Sequence, residues 1–287
     1  MIGMKIGVSS YSFSDYIRHT GCDYRKICDM AKQIGFDGIE FIALDDPYLG
    51  VTTDAKKTAV ELREYCAGIG LEIVAYTISA DFLAEDREAE MAALRANIDV
   101  AAELGAGILR HDVATGPRDI YGYTYRDAIK EMAPQIRKIT EYAAAKGIRT
   151  CTENHGRFFQ DAHRVSELIQ AVNHPNYGWL VDIGNFMGVD GDIPKSVLTA
   201  APYAFHMHAK DNLYKSGTEI VPDGWRCTRG GNYTRPTVLG HGVVPVRQCL
   251  GIMKQSGYDG YVSLEYEGWE ENIRAVESGY AFLKKLI

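Results

Sequence analysis

The sequence predicts a single (β/α)8 barrel, and three observations support this fold. Strand-like and helix-like segments alternate along the whole 287-residue chain, and each kind occurs eight times. Parallel strands need crossover connections, so this alternation indicates a parallel sheet. Eight repeats in a chain of this length match a closed barrel, and no Pro/Ser-rich linker divides the sequence. We therefore expect one domain over residues 1–287.

Short runs rich in β-branched and aromatic residues predict the eight strands. They cover residues 5–11, 38–42, 71–78, 107–113, 149–153, 177–182, 204–208 and 260–265. The third run, for example, reads LEIVAYTI.

Segments with apolar residues at helical spacing predict the eight helices. They cover residues 23–34, 53–69, 86–104, 125–146, 162–172, 194–200, 246–255 and 271–286. Asp23 is the expected N-cap of the first helix. Gly35, Gly70, Gly105 and Gly147 follow four of the helices and are expected to end them.

One predicted connection is much longer than the others, and it covers residues 212–243 after the seventh strand. It contains Trp225, a Gly-Gly pair and His241. A long loop at the C-terminal face of a barrel is where substrate contacts are expected.

The composition excludes several classes of protein. The net charge of -7 gives no general attraction to nucleic acid, so we expect no nucleic-acid partner. No apolar run approaches the ~18 residues of a membrane span, and no signal peptide is evident, so no membrane partner is expected. The six cysteines form no CxxC pair, which argues against a zinc ribbon or a disulfide scaffold and favours reduced thiols in a cytoplasmic protein.

Four acidic or imidazole side chains stand at the ends of the last four predicted strands. They are Glu153 in CTENHG, Asp182 in LVDIGN, His208 in HMHAKD and Glu265 in SLEYEG. In a (β/α)8 barrel these ends meet at the catalytic face. Three carboxylates and one imidazole suit Mn²⁺, Mg²⁺, Co²⁺ or Zn²⁺. The alternative is that strand-end acids cap the following helices, but carboxylates grouped at adjacent strand ends repel one another without a cation.

The motifs ENHG, VDIGN and HMHAKD, together with the strand-eight Glu265, resemble the xylose isomerase-like superfamily of sugar (phosphate) isomerases and epimerases. The resemblance covers nearly the whole chain. It implies that Glu153, Asp182, His208 and Glu265 bind one divalent metal ion, with Mn²⁺ the expected ion and Mg²⁺, Co²⁺ or Zn²⁺ as alternatives. It also implies that Glu153 and Glu265 act as an acid/base pair on opposite sides of a substrate carbon.

The resemblance implies a sugar or keto-sugar isomerase or epimerase that works by proton transfer through a metal-stabilised enediolate, with a small carbohydrate as substrate. Such a metal acidifies the C–H beside a carbonyl, and epimerisation needs a base on each face. The alternative is a metal-dependent lyase or dehydratase acting on a keto-sugar, an inosose or a 3-keto-glycoside. His155 as an additional catalytic base suits that alternative, and ENH departs from the EP-type motif of ketose epimerases.

Two other functions fit less well. Relatives that are AP endonucleases bind three zinc ions and carry a histidine three residues after the strand-six aspartate, where this chain has Asn185. The residues after the seventh strand also lack the Asp-x-His pair of those enzymes, and the acidic charge opposes a DNA partner. A non-enzymatic sugar-binding role is the remaining alternative, and the complete ligand set argues against it.

Further residues near strand ends are candidates for substrate binding. They are Glu40, His111, Asn185, Lys210 and His241. Four of them have a structural alternative: an ion pair with Asp211 for Lys210, packing for His111, a turn for His241 and a surface position for Glu40.

Other residues are expected to have structural roles or to form the walls of a pocket. His206 points the same way as His208 on a strand, and we expect it in the barrel core. Some aromatic residues either wall a sugar pocket or pack in the core, namely Tyr11, Phe13, Trp225 and Trp269. An apolar helix face is compatible with a homo-oligomer, whose interface the sequence does not identify.

Overall fold

Eight parallel strands close into a barrel in the computed structural model of this protein, which describes residues 3–45, 53–114 and 122–287. The barrel strands are β1 (Lys5–Ser9), β2 (Gly38–Ile42), β3 (Glu72–Ile78), β4 (Ile108–His111), β5 (Arg149–Glu153), β6 (Tyr177–Asp182), β7 (Ala204–Ala209) and β11 (Tyr261–Leu264). Their order around the barrel is β1-β11-β7-β6-β5-β4-β3-β2. The prediction of a (β/α)8 barrel is confirmed.

Helices surround the strand layer. Those of the described residues are α1 (Ser14–Thr20), α2 (Tyr24–Ile34), α3 (Ala55–Ile69), α4 (Arg87–Leu104), α5 (Tyr125–Ala144), α6 (Ala162–Val172), α7 (Ile193–Ala200), α8 (Val246–Gln255) and α9 (Asn272–Leu283). Helix α1 is absent from the sequence prediction. It buries only Ser14 and Ile17, so its sequence carries no apolar stripe.

The helix ends follow the expected capping chemistry. The carboxylates of Asp23, Asp54 and Asp86 accept a backbone hydrogen bond from the third residue of α2, α3 and α4. Gly35 and Gly70 end α2 and α3 with φ of 115° and 66°. Because L-residues rarely adopt this left-handed region, the glycines set the turns into β2 and β3.

The interior of the barrel is packed with side chains. A small apolar cluster, separate from the core between strands and helices, comes from barrel strands alone and contains Val74, Ala75, Ile108, Cys151 and Leu180. All five are buried. Because this cluster fills the inside of the barrel, the site lies on a solid platform at the C-terminal ends of the strands.

The long connection after β7 contains a small antiparallel sheet. Its strands are β8 (Asp211–Lys215), β9 (Arg226–Cys227) and β10 (Tyr233–Thr237), in the order β8-β10-β9. We call residues 211–237 the hairpin sheet. The sequence predicts only a long loop here, because these strands are short, polar and partly exposed and lack an apolar alternation.

A buried carboxylate fastens the hairpin sheet to the barrel. Asp211 accepts backbone hydrogen bonds of 2.8–3.0 Å from Asn212, Gly240, Gly242 and Val244. It therefore joins the start of β8 to the segment that leads into α8.

Asp211→Ala is expected to lower the free energy of unfolding by roughly 3 kcal/mol, because it leaves several buried backbone N–H groups without a hydrogen-bond acceptor. Chemical denaturation followed by circular dichroism measures the change. Asp223→Ala, at an exposed position of the same connection, is the matched control and should change stability little. Equal stability of the two variants would contradict the proposed fastening.

Among the described residues, no helix is both long enough and apolar enough to cross a membrane.

Candidate active site

Glu153, Asp182, His208 and Glu265 converge at the C-terminal ends of β5, β6, β7 and β11. One ligand atom from each lies within 4.8 Å of the others. The Nδ1 atom of His208 is 3.6 Å from Glu265 Oε2. It is 3.9 Å from Glu153 Oε1 and 3.9 Å from Asp182 Oδ2. The structure thus brings the four predicted ligands together.

Two atoms of this cluster indicate that its donors fit a metal ion. Asp182 Oδ2 and His208 Nδ1 are buried, and neither makes a hydrogen bond among the described residues, although the Lys210 ammonium lies 3.2 Å from Asp182 Oδ2. Buried polar atoms without a partner are costly in a native fold. Both atoms face the same point as the other two carboxylates, and this mixture of oxygen and imidazole nitrogen donors suits a divalent transition metal.

The imidazole of His208 is held from behind by Glu40 of β2. His208 Nε2 lies 2.8 Å from Glu40 Oε2, and His206 Nε2 lies 2.8 Å from the same oxygen. The hydroxyl of Thr77 donates to Glu40 Oε1 at 2.9 Å. Burial opposes the charge on Glu40, but the two imidazoles outweigh burial and hold the pKa of this carboxyl below its usual range. With Nε2 occupied, Nδ1 of His208 is the nitrogen that faces the cluster.

This arrangement corrects the expected role of Glu40. The side chain is fully buried beneath the cluster and does not line the cavity described below, so it is not placed to contact a substrate. Its position is that of an orienting partner for a ligand histidine. His206 lies in the barrel core as expected.

Glu40→Gln is expected to weaken divalent-metal affinity by about 10- to 100-fold, because supporting partners of ligand histidines have effects of that size. Titration of the metal-free protein with Mn²⁺ measures the affinity. Glu88→Gln, at an exposed position of α4, is the control. Unchanged affinity in Glu40→Gln would show that the orientation of His208 does not depend on this carboxylate.

Lys210 places an ammonium group among the carboxylates. Its Nζ atom lies 2.7 Å from Glu267 Oε1 and 3.2 Å from Asp182 Oδ2, and it forms a close ion pair with Glu265. Burial opposes the ammonium charge, but these acids outweigh burial and hold the pKa of Lys210 well above its usual value. The expected ion pair with Asp211 is not formed, since the Asp211 carboxylate is occupied by backbone N–H groups.

Arg110 on β4 is a site residue that the sequence analysis missed. Its Nη2 atom lies 2.6 Å from Glu153 Oε2 and 2.8 Å from Asp112 Oδ1. Strand alternation is the signal that identifies it, because an inward Asp112 also places Arg110 inward. The guanidinium of Arg110 therefore forms buried ion pairs with both Glu153 and Asp112 at the edge of the cluster.

The same alternation turns His111 away from the site. Its ring packs 5.3 Å from Phe82 and 5.9 Å from Tyr177, measured between ring centroids. Burial lowers the pKa of His111 to about 4, so the ring is neutral. The structure does not support the expected substrate contact at His111.

His155 forms a pair with Asp112 at the edge of the site. Its Nδ1 atom lies 2.9 Å from Asp112 Oδ1, and 49% of the side chain is exposed. Burial around the ring opposes protonation, but the Asp112 carboxylate outweighs it and raises the pKa of His155. Burial likewise opposes the charge on Asp112, yet Arg110 and His155 lower its pKa to about 2. The carboxylate thus orients the imidazole through Nδ1, and Nε2 is the atom that can accept a proton when the ring is neutral.

The other predicted contacts divide into two groups. Asn185 lies at the site: its Nδ2 donates to Glu153 Oε1 at 2.7 Å, and its backbone N–H donates to Asp182 Oδ1 at 2.9 Å. His241 lies outside the cavity, in an exposed turn where its N–H donates to the Val238 carbonyl at 2.9 Å.

The four aromatic residues that the sequence places near a sugar pocket or in the core occupy different positions. Tyr11 lines the cavity, and Phe13 is fully buried in the core. Trp225 and Trp269 flank the guanidinium of Arg235, with centroid distances of 5.6 and 5.8 Å.

Two chambers with shared lining residues lie at the C-terminal face of the barrel, and Glu153 and Glu265 of the cluster line the inner one. The inner chamber has a volume of about 220 Å³, and its polar lining includes Thr77, Arg110, Asp112, Glu153 and Glu265. The outer chamber has a volume of about 290 Å³ and extends beneath the hairpin sheet, with a lining that includes Arg157, Gln160, Asn185, Asn212 and Arg226. Both are lined by Tyr11, His155, Lys210 and Glu267. Glu267 is absent from the predicted site, although it lies two residues after Glu265.

Fold and site together define a (β/α)8 barrel that carries a buried carboxylate–imidazole cluster able to bind a metal ion at its catalytic face. The chain belongs to the xylose isomerase-like TIM barrel family, whose model matches residues 28–286. No protein in the curated collection matches the sequence significantly.

Solved structures share this fold at low sequence identity. The probable 3-DHS dehydratase AsbF of Bacillus anthracis, involved in petrobactin synthesis, is 21% identical with a TM-score of 0.76, covering 98% of this chain and 99% of its own. D-allulose 3-epimerase of Methylomonas sp. is 20% identical with a TM-score of 0.74, covering 100% and 99%. A xylose isomerase-like TIM barrel protein of Mycobacterium smegmatis, in complex with magnesium, is 19% identical with a TM-score of 0.70, covering 99% and 96%. At these identities the likeness establishes the fold alone.

Proposed function

We propose that this protein is a divalent-metal-dependent enzyme that acts on a small keto-sugar by removing a proton next to its carbonyl group. The observation that carries the proposal is the position of the His155–Asp112 pair on the wall of the cavity into which the four-ligand cluster opens. A metal cluster and an oriented base beside one cavity are the parts that this chemistry requires.

The residues divide the work by their contacts. Glu153, Asp182, His208 and Glu265 would hold the ion, which when bound would polarise a carbonyl group and acidify the neighbouring C–H. His155 accepts the proton at Nε2, while Asp112 holds Nδ1 and stabilises the imidazolium that forms.

The fate of the proton distinguishes two reaction classes. Epimerisation needs two bases, and Glu153 and Glu265 both line the inner chamber as an epimerase requires. However, both carboxylates are engaged in ion pairs, Glu153 with Arg110 and Glu265 with Lys210. Burial opposes the charge on Glu265, but Lys210 and His208 outweigh burial and hold the pKa of this carboxyl well below its usual range. His155 is paired with a carboxylate instead, and it is the better base. This contrast favours a lyase or dehydratase, and the isomerase or epimerase is the second candidate.

The ion content of the protein is the first test. The metal-free protein is loaded separately with Mn²⁺, Mg²⁺, Co²⁺ and Zn²⁺, dialysed and analysed by plasma mass spectrometry. We expect about one ion per chain. About three zinc ions would instead support an endonuclease. If the protein retains no ion, a non-enzymatic carbohydrate-binding role is the remaining hypothesis.

The reaction class is tested on the metal-loaded protein with a panel of keto-sugars in deuterated water. Elimination next to a carbonyl gives an unsaturated carbonyl product with a new ultraviolet absorbance. Epimerisation gives deuterium in the sugar without that absorbance. Deuterium incorporation without a new absorbance would overturn the preference for elimination.

A further inference from the structure

The two chambers together indicate a substrate larger than the inner chamber alone would hold. Small-molecule sites typically measure about 300–1,000 Å³. The inner chamber, at about 220 Å³, is below that range, while the outer chamber adds about 290 Å³. His155 and Lys210 line both chambers, so the two cavities adjoin at these side chains, and a substrate that occupies both would contact them.

Cations outnumber carboxylates around the outer chamber. Arg157, Lys210 and Arg226 line it, and Glu267 is the one carboxylate in its lining among the described residues. Glu267 Oε1 is 2.7 Å from Lys210 Nζ, and Glu267 Oε2 is 3.1 Å from Arg226 Nη1. The charge of Glu267 is thus compensated within the protein, which leaves the chamber with an excess positive charge at Arg157.

Arg157 is held at the chamber by its backbone. Gly156 and Arg157 have φ of 76° and 66°, and a left-handed arginine is uncommon. The backbone N–H of Arg157 donates to Gln160 Oε1 at 2.9 Å, and its Nη2 donates to the Cys227 carbonyl at 2.8 Å. No carboxylate in the described part of the chain lies within 4.0 Å of its guanidinium. The guanidinium therefore has donors available for a ligand.

We propose that the outer chamber binds a carboxylate or phosphate group on the substrate, and that Arg157 is its main contact. The proposal rests on the proposed function, because it names the class of keto-sugar that the site takes: an acidic or phosphorylated one. A guanidinium matches the two oxygens of such a group and binds it with parallel hydrogen bonds. Arg157 is then a specificity-determining residue that takes no part in the proton transfer itself.

The test uses three ketoses that differ in charge: D-fructose, D-fructose 6-phosphate and 5-keto-D-gluconate. Calorimetry measures their binding to the metal-free and the Mn²⁺-loaded protein. We expect one or both charged probes to bind about tenfold or more tightly than D-fructose, the effect of one charge-assisted hydrogen bond. Arg157→Ala should remove this preference and leave D-fructose binding within about twofold of the original value, and Arg157→Lys should restore part of it.

The controls separate this subsite from the proposed reaction. Arg95→Ala, at an exposed position of α4, should behave like the unmodified protein. The metal-free protein reports on the subsite alone, whereas failure of the proposed function appears as absence of metal uptake or of proton exchange. Preference for the phosphate or for the carboxylate identifies the natural group. Failure of both charged probes to bind more tightly than D-fructose, or the same preference in Arg157→Ala, would overturn the proposal.

Discussion

Asp182→Asn is expected to weaken divalent-metal binding by more than about 100-fold, beyond what loss of a supporting residue causes, and to abolish turnover. Asp182 Oδ1 already accepts the N–H groups of Gly184 and Asn185, and an asparagine oxygen can keep both bonds. The change therefore replaces Oδ2, the buried oxygen that faces the cluster and lies 3.2 Å from the Lys210 ammonium, by an amide nitrogen that cannot bind a cation.

Metal titration and plasma mass spectrometry measure the loss, and circular dichroism reports whether the fold is kept. Asp192→Asn changes an N-cap aspartate of α7 and serves as a control with the same chemistry. Glu265→Gln should reproduce the effect from the opposite side of the cluster. Full ion occupancy in both Asp182→Asn and Glu265→Gln would refute the ligand assignment.

His155→Ala is expected to slow proton abstraction by about 10²- to 10⁴-fold, the usual contribution of a general base, while metal affinity stays the same. His155 is not one of the four converging ligands, and its Nδ1 contacts Asp112. The combination of intact ion binding with lost chemistry distinguishes a base from a ligand. Solvent deuterium incorporation under single-turnover conditions measures the step.

Two further variants sharpen the assignment of the base. His19→Ala removes an exposed imidazole of α1 and should leave the rate unchanged. Asp112→Asn keeps the size of the orienting group but removes its charge, so it should lower the rate less than His155→Ala does. An unaltered rate in His155→Ala would assign the proton transfer to Glu153 and Glu265 and would support an epimerase instead of a lyase.

The sequence identifies residues whose position follows from the strand on which they lie. Glu153, Asp182, His208 and Glu265 each end a barrel strand, and the fold alone makes such ends meet. Helix caps such as Asp23 are equally predictable from the sequence, because capping depends on residues only a few positions apart.

Contacts between strands that lie far apart in the sequence cannot be predicted in the same way. The position of Glu40 behind His208 joins residues 168 positions apart, and it depends on the barrel closing with a particular register. Arg110 is absent from the predicted site, although the alternation of side chains along β4 implies that it points inward. The position at the end of the strand indicated His111 instead. The hairpin sheet was missed since its stability comes from Asp211 and backbone pairing instead of an apolar pattern.

The anchoring of His208 by Glu40 has a practical consequence for protein engineering. That contact lies wholly inside the closed strand layer, between β2 and β7, and no residue of the hairpin sheet takes part in it. Arg226, by contrast, reaches the outer chamber from the hairpin sheet. A chimaera that exchanges residues 212–237 for a foreign segment should therefore acquire a new choice of substrate while retaining its inherited ion affinity, which makes the two properties separately evolvable.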